Sequence, residues 1–237
     1  MKKLLPTSFV VLLITTFAFA CQSFSSKSIT ADTKELNIQP FTELSVSGSF
    51  EVLFTQEANT TARAEGSAED LEKIEIETNG DKLILKQKKN SNIKHVVIYL
   101  STPNINEVGI AGSGTFKSTN TITSTKTLHF EIAGSGTITA AIDANDVKSA
   151  IAGSGDIHLS GKSSNTKIEI AGSGNYKAND LSTGNTEVEI AGSGNAYVNA
   201  TGKLSAEIAG SGSIYYKGQP SDIDKSVAGS GKIKPMD

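Results

Sequence analysis

Cysteine, arginine and tryptophan are almost or wholly missing from this 237-residue chain, which has one Cys, one Arg (Arg63) and no Trp. The single cysteine excludes an internal disulfide framework and any zinc site built on several thiolates. With Arg63 as the only arginine, every other basic residue is Lys. Planar, bidentate recognition of phosphate or carboxylate therefore has almost nothing to work with. A formal net charge of -3 argues against a nucleic-acid partner. The missing Trp weakens the case for a dedicated carbohydrate platform. Helical periodicity is absent as well. What is present, 37% hydrophobic and 20% charged residues, is a globular composition sized for one large or two modest domains.

Met1-Lys2-Lys3 gives a positive start, and Phe9 to Ala20 is almost wholly apolar, broken by Thr15 and Thr16. The run is short for a membrane span and ends in small residues, the layout of a secretory signal peptide over residues 1–20. Cys21 follows at once. Ala18-Phe19-Ala20-Cys21 resembles the lipobox of bacterial lipoproteins, which implies cleavage before Cys21 and lipid attachment at its thiol. The alternative is ordinary cleavage after Ala20, leaving a free N-terminal Cys. Residues 21–34, polar and Ser/Thr-rich after the Cys, read as a flexible tether.

Ala-Gly-Ser-Gly occurs seven times, starting at Ala111, Ala133, Ala152, Ala171, Ala191, Ala209 and Ala228, at intervals of 18 to 22 residues. A period near twenty marks a solenoid. Ile or Val stands directly before every copy, and alternating apolar residues such as Leu128, Phe130 and Ile132 lead up to it. Period-two alternation means strands with one face buried. The Leu and Asn pattern of leucine-rich repeats is missing. The chain is therefore expected to be all-β: a right-handed parallel β-helix of about 19-residue coils, rising about 4.8 Å per coil. Strict alternation turns both motif glycines inward, and the motif serines would stack as a hydroxyl ladder. A phosphate loop is excluded because no Gly-Lys-Ser/Thr and no helix pattern follows.

Residues 35–108 are β-rich but less regular, an expected N-terminal cap and first coils, with the repeat β-helix over 109–237. Ser47-Gly48-Ser49 looks like a decayed copy of the motif, and Asn79-Gly80 between two apolar runs signals a hairpin. Ala68 to Leu71 suits a single helical turn, and Val96 to Leu100 a strand ending near Pro103.

The lipoprotein start, the β-rich entry and the recurring Ile-Ala-Gly-Ser-Gly together resemble the head GIN domain family, autotransporter adhesin-like bacterial envelope lipoproteins. The resemblance covers most of residues 40 to 232. It implies a β-helical protein of the Gram-negative envelope, and it brings no catalytic residues with it. The expected location is the outer membrane, facing the surface or the periplasm, with the N-terminal lipid as the membrane contact.

Chemistry is thin in the rest of the sequence. His95, His129 and His158 share no spacing that makes a triad or metal pair, and Asp143 and Asp146 fall in an expected turn. No enzyme activity, cofactor or metal is expected. Three residues past each motif the outward column reads Lys117, Thr139, His158, Lys177, Tyr197, Tyr215, Lys234. Tyr197 and Tyr215, on adjacent coils, cover the wall or form a contact patch for a host or cell-surface glycan or protein. Two residues before the motif, Glu169, Glu189 and Glu207 stack at one-coil spacing, with Glu187 and Lys167 near them. That column is a lysine-compensated solvated face or a weak cation ladder. The functional expectation is a lipid-anchored envelope protein with an adhesive, non-catalytic role. A periplasmic structural scaffold is the alternative, and a β-helical polysaccharide-active enzyme stands behind both.

Overall fold

The computed structural model describes residues 31–236, so the expected signal peptide and Cys21 lie outside the described residues. In chain order the elements are β1 (Asp32–Glu35), β2 (Glu43–Gly48), β3 (Glu51–Gln56), β4 (Thr61–Gly66), α1 (Ala68–Leu71), β5 (Ile74–Asn79), β6 (Lys82–Gln87) and β7 (Val96–Thr102). The repeats follow as β8 (Glu107–Gly112), β9 (Thr115–Ser124), β10 (Leu128–Gly134), β11 (Thr137–Gly153), β12 (Asp156–Gly172) and β13 (Asn175–Gly192). β14 (Asn195–Ala200), β15 (Lys203–Gly210), β16 (Ser213–Lys217), β17 (Asp222–Gly229) and β18 (Lys232–Pro235) complete the chain. It is a parallel β-solenoid of about 7 turns, about 19 residues apart.

Each repeat enters its motif on one wall and leaves it on another. The entry wall stacks β8, β10, the second halves of β11, β12 and β13, then β15 and β17. The exit wall stacks β9, the first halves of β11, β12 and β13, then β14, β16 and β18. Motif residues stay in register throughout, Ile132 opposite Ile151 and Ile151 opposite Ile170. The unequal repeat lengths are absorbed by register shifts beyond the motif, between Thr139 and Ala141 and between His158 and Ser160. Asp143 and Asp146, expected in a turn, instead lie within β11 opposite Lys162 and Asn165.

The core is the inward column of every strand. Ile110, Ile132, Ile151, Ile170, Ile190 and Ile208 are all buried, as are Phe116, Ile138, Ile157, Tyr176, Ala196 and Ile214 on the exit wall. Alternation breaks at the motif corner, and again midway along β11, β12 and β13, as at Asn145 and Asp146. Gly153 has φ of 124°, a conformation that a side chain resists. A Cβ on it would lie 2.5 Å from the Gly134 carbonyl oxygen of the preceding rung. The first motif glycine is thus a partly exposed corner residue, and only the second, such as Gly155, is buried. The backbone ladder continues round the bend, with Ser154 N–H donating to Gly134 and Asp156 N–H to Gly136.

The N-terminal rungs do not follow chain order. β2 is flanked by β6 on one side and β8 on the other, and β3 by β7 and β9. The earliest rung in the sequence is therefore enclosed by two later ones. β5 pairs antiparallel with β6, β4 with β7, and β1 with β4, which closes that end of the stack. The polar tether expected over 21–34 meets structure at its end, because Asp32–Glu35 belong to β1.

Candidate functional site

Two walls carry the outward residues, and their charges differ. On the entry wall Glu169 stands opposite Glu189, and Glu189 opposite Glu207. Lys167 reaches all but the last of this cluster, with Nζ 2.8 Å from Glu187, 3.0 Å from Glu189 and 3.3 Å from Glu169. The carboxylates raise the Lys167 pKa, and the lysine lowers that of Glu187. Lys82 likewise sits 2.6 Å from Glu107 and 3.6 Å from Glu43. Among the described residues no group of three or more His, Cys, Asp or Glu is placed to hold a metal ion. The motif alanines and the Glu column line a shallow open groove of about 620 Å³ along this wall.

The exit wall is built differently. Lys117 and His158 both stand opposite Thr139, His158 opposite Lys177, Lys177 opposite Tyr197, Tyr197 opposite Tyr215, and Tyr215 opposite Lys234. The Tyr197 and Tyr215 rings stack with centroids 5.0 Å apart and planes 14° from parallel. One face of each ring covers one face of the other. Among the described residues Lys117, Lys177, Lys232 and Lys234 have no ion-pair partner, while Lys217 lies 3.5 Å from Asp180. Burial first, then the Lys177 charge, lowers the pKa of His158, with Asp156 acting against them.

Side-chain ladders form, but not from the motif serines. Asn165 donates to Asp146 at 2.9 Å and Asn185 to Asn165 at 3.0 Å. Asn175 donates to Asp156 at 2.8 Å and Asn195 to Asn175 at 3.0 Å. Both runs end on an aspartate, where a carboxylate can only accept. These columns escaped notice in the sequence because their Asn residues sit six before and four after the motif alanine. Reading every column at the repeat spacing would have found them.

Among the described residues, no helix is long and apolar enough to cross a membrane. Among curated proteins none matches this chain. Solved structures do. A "putative adhesin" from Bacteroides fragilis NCTC 9343 superposes with a TM-score of 0.83 at 24% identity, over 88% of this chain and 98% of the other. A "putative lipid binding protein" from Parabacteroides distasonis ATCC 8503 gives 0.64 at 25% identity, over 89% and 98%. A "putative adhesin" from Parabacteroides merdae ATCC 43184 gives 0.62 at 19%, over 89% and 98%. Residues 40–220 match the family described as "Putative auto-transporter adhesin, head GIN domain", and the chain belongs to that family.

Proposed function

We propose that this protein is a lipid-anchored component of the bacterial envelope with an adhesive, non-catalytic role, carried on the exit wall of a rigid solenoid. Residues 1–20 serve as the export signal, Cys21 as the lipid attachment point, and the residues up to β1 as the tether. The observation that carries the reading is the Lys177–Tyr197–Tyr215–Lys234 column, with exposed lysines and half-buried tyrosines, in register and without internal ion pairs. Such a surface offers weak contacts that add up when many copies share one membrane. The names of structurally similar proteins, adhesins and a lipid-binding protein, agree with binding rather than turnover. On the entry wall, Glu169, Glu187 and Glu189 gather round Lys167 as a lysine-compensated acidic face, with Glu207 beyond its reach.

The test compares bead-displayed with monomeric protein on a panel of glycans and matrix proteins. Retention is expected for clustered protein and to be marginal for the monomer. Tyr197→Ala with Tyr215→Ala should weaken it without lowering the melting temperature appreciably. Polysaccharide turnover would instead favour an enzyme. Protection from protease on whole cells would favour a periplasmic scaffold.

A further inference from the structure

The exit wall differs from the entry wall in how its cations are used. Entry-wall Lys82 and Lys167 are neutralised by neighbouring carboxylates at 2.6 to 3.3 Å, while Lys148 beside Lys167 has no ion pair among the described residues. From the Lys117 rung onward, the exit wall carries Lys117, Lys162, Lys177, Lys217, Lys232 and Lys234 against Asp143, Asp156 and Asp180. Asp180 is taken up by Lys217, Asp143 stands opposite Lys162, and Asp156 keeps its charge while accepting from Asn175, so lysines outnumber aspartates on this wall. Among the described residues Lys117, Lys177, Lys232 and Lys234 face solvent without an ion pair, in a protein whose net charge is -3. A positive strip on an otherwise acidic molecule draws polyanions to that strip alone.

The strip is straight and flat. Lys117 to Lys234 spans six rung steps, about 29 Å at the strand spacing. An extended chain laid along the stack meets a cation, a hydroxyl or an imidazole at every rung: Lys117, Thr139, His158, Lys177, Tyr197, Tyr215, Lys234. Nucleic acid fits poorly, because single strands are held by bases stacking on open aromatic faces. Only Tyr197 and Tyr215 in this column are aromatic, and they close one face of each ring against the other. A bilayer fits poorly too, because interfacial binding needs buried apolar area. The exposed large hydrophobics among the described residues, Ile223 and Val227, lie on the entry wall's last rung instead. A hydroxyl-rich chain with regularly spaced carboxylates or sulfates meets every group the strip presents, since lysines supply point charges and tyrosine hydroxyls supply donors.

We propose that the column from Lys117 to Lys234 on the exit wall binds a linear acidic polysaccharide lying parallel to the solenoid axis. This rests on the adhesive reading above and narrows it to one ligand class. With lysines alone as cations, each contact is weak and salt-sensitive, so clustering of the protein is part of the binding.

The experiment uses bead-displayed protein on immobilised polygalacturonate, with dextran, a matrix-protein panel, phosphatidylglycerol vesicles and single-stranded DNA alongside. Lys177→Gln with Lys234→Gln removes two strip charges. Lys126→Gln with Lys148→Gln removes two exposed charges off this wall and serves as control. The expected result is retention on polygalacturonate that falls with ionic strength. It drops about fivefold or more in the strip variant and stays near wild type in the control. All melting temperatures should remain together, since every site is exposed. Equal loss in both variants would make net charge the cause and overturn the strip. Equal retention on vesicles or DNA would overturn the ligand class. Retention only on dextran or matrix proteins would overturn this inference and leave adhesion standing, and no retention on any surface would remove both.

Discussion

The first rungs and the motif-bearing rungs are made of the same wall yet are held by different means. From β8 onward each rung touches the one about nineteen residues before and after it, and its stability is a sum of similar nearest-neighbour terms. In residues 32–106 the partners are distant. Glu43 stands opposite Glu107, and Gln56 Oε1 accepts from the backbone N–H of Thr123, 67 residues away. The rung of β2 and β3 is complete only when the chain has reached residue 124. Loop closure must therefore be spent before that rung is rewarded. The repeats can lengthen or shorten by a rung; the first rungs stand or fall together.

The two ends follow the same division. β1, β4 and β5 close the first end with antiparallel pairing. At the last described rung, β17 is exposed along its whole length. There Lys225 takes the position opposite buried Ala206, and its Nζ meets the Tyr216 hydroxyl at 2.9 Å. A charge on the inward column and Pro235 in β18 are the usual ways to discourage edge-to-edge pairing.

Glycine gives the hardest test of this division, because it sits at left-handed positions in both regions. Gly153→Ala puts a Cβ 2.5 Å from the carbonyl of Gly134 at φ of 124°. Gly80, in the β5–β6 hairpin, has φ of 60° and nothing within 4 Å of a built Cβ. The first change should cost about 3 kcal/mol or more and the second about 1 kcal/mol. Chemical denaturation of the two variants reads the difference. Equal costs would mean that the corner is not packed rung on rung.

How far the sequence could be read follows the same line. The repeats announced themselves because Ile-Ala-Gly-Ser-Gly recurs in register, and period-two alternation named the inward residues, Ile132, Ile151 and Ile170 among them. The hairpin at Asn79-Gly80 and the turn of helix at Ala68–Leu71 were legible from local chemistry. The order of the first rungs was not, because no local pattern says that β6 and β8 both choose β2. The corner also escaped: alternation predicts two inward glycines, whereas a bend with positive φ spends one of them. At the candidate surface the columns were legible, since spacing places Tyr197 beside Tyr215. That their rings would close face to face was not, because ring orientation depends on packing between rungs.

A smaller effect is expected at the closing helix of the first region. Asp70 is 4% exposed, with Lys73 Nζ 2.9 Å away. The hydrogen bond from Lys73 holds the carboxyl below its usual range, helped by Ser67 and the Lys94 N–H and opposed by burial. A folded-state pKa below the unfolded one stabilises the fold above the unfolded value of about 3.9 and loses that contribution as pH falls through the folded value. Asp70→Asn should therefore cost about 1–2 kcal/mol at neutral pH, with the gap to wild type shrinking below about pH 4. Thermal melts at the two pH values check it. A gap unchanged in acid would mean that shape, not charge, holds the helix in place.

The smallest effect lies inside the repeats and has the opposite sign. Tyr176 is fully buried, opposite Ile157 on one side and the small Ala196 on the other. Its ring replaces an aliphatic column residue at no cost in volume, because Ala196 gives way. Its hydroxyl is a different matter: it lies near the Ser149 hydroxyl, yet among the described residues nothing meets it in full hydrogen-bond geometry, and burial pushes the phenol above its ordinary pKa. Ser149 Oγ and Thr166 Oγ1 are also buried without partners. An unsatisfied buried hydroxyl loses its water without recompense, so Tyr176→Phe keeps the packing and removes the penalty. The variant should gain about 1 kcal/mol, read as a small rise in melting temperature with an unchanged denaturant slope. A fall instead would show that the hydroxyl is satisfied after all, by a water enclosed with Ser149 and Thr166. The repeats would then carry a polar network of their own, and their difference from the first rungs would narrow to rung order alone.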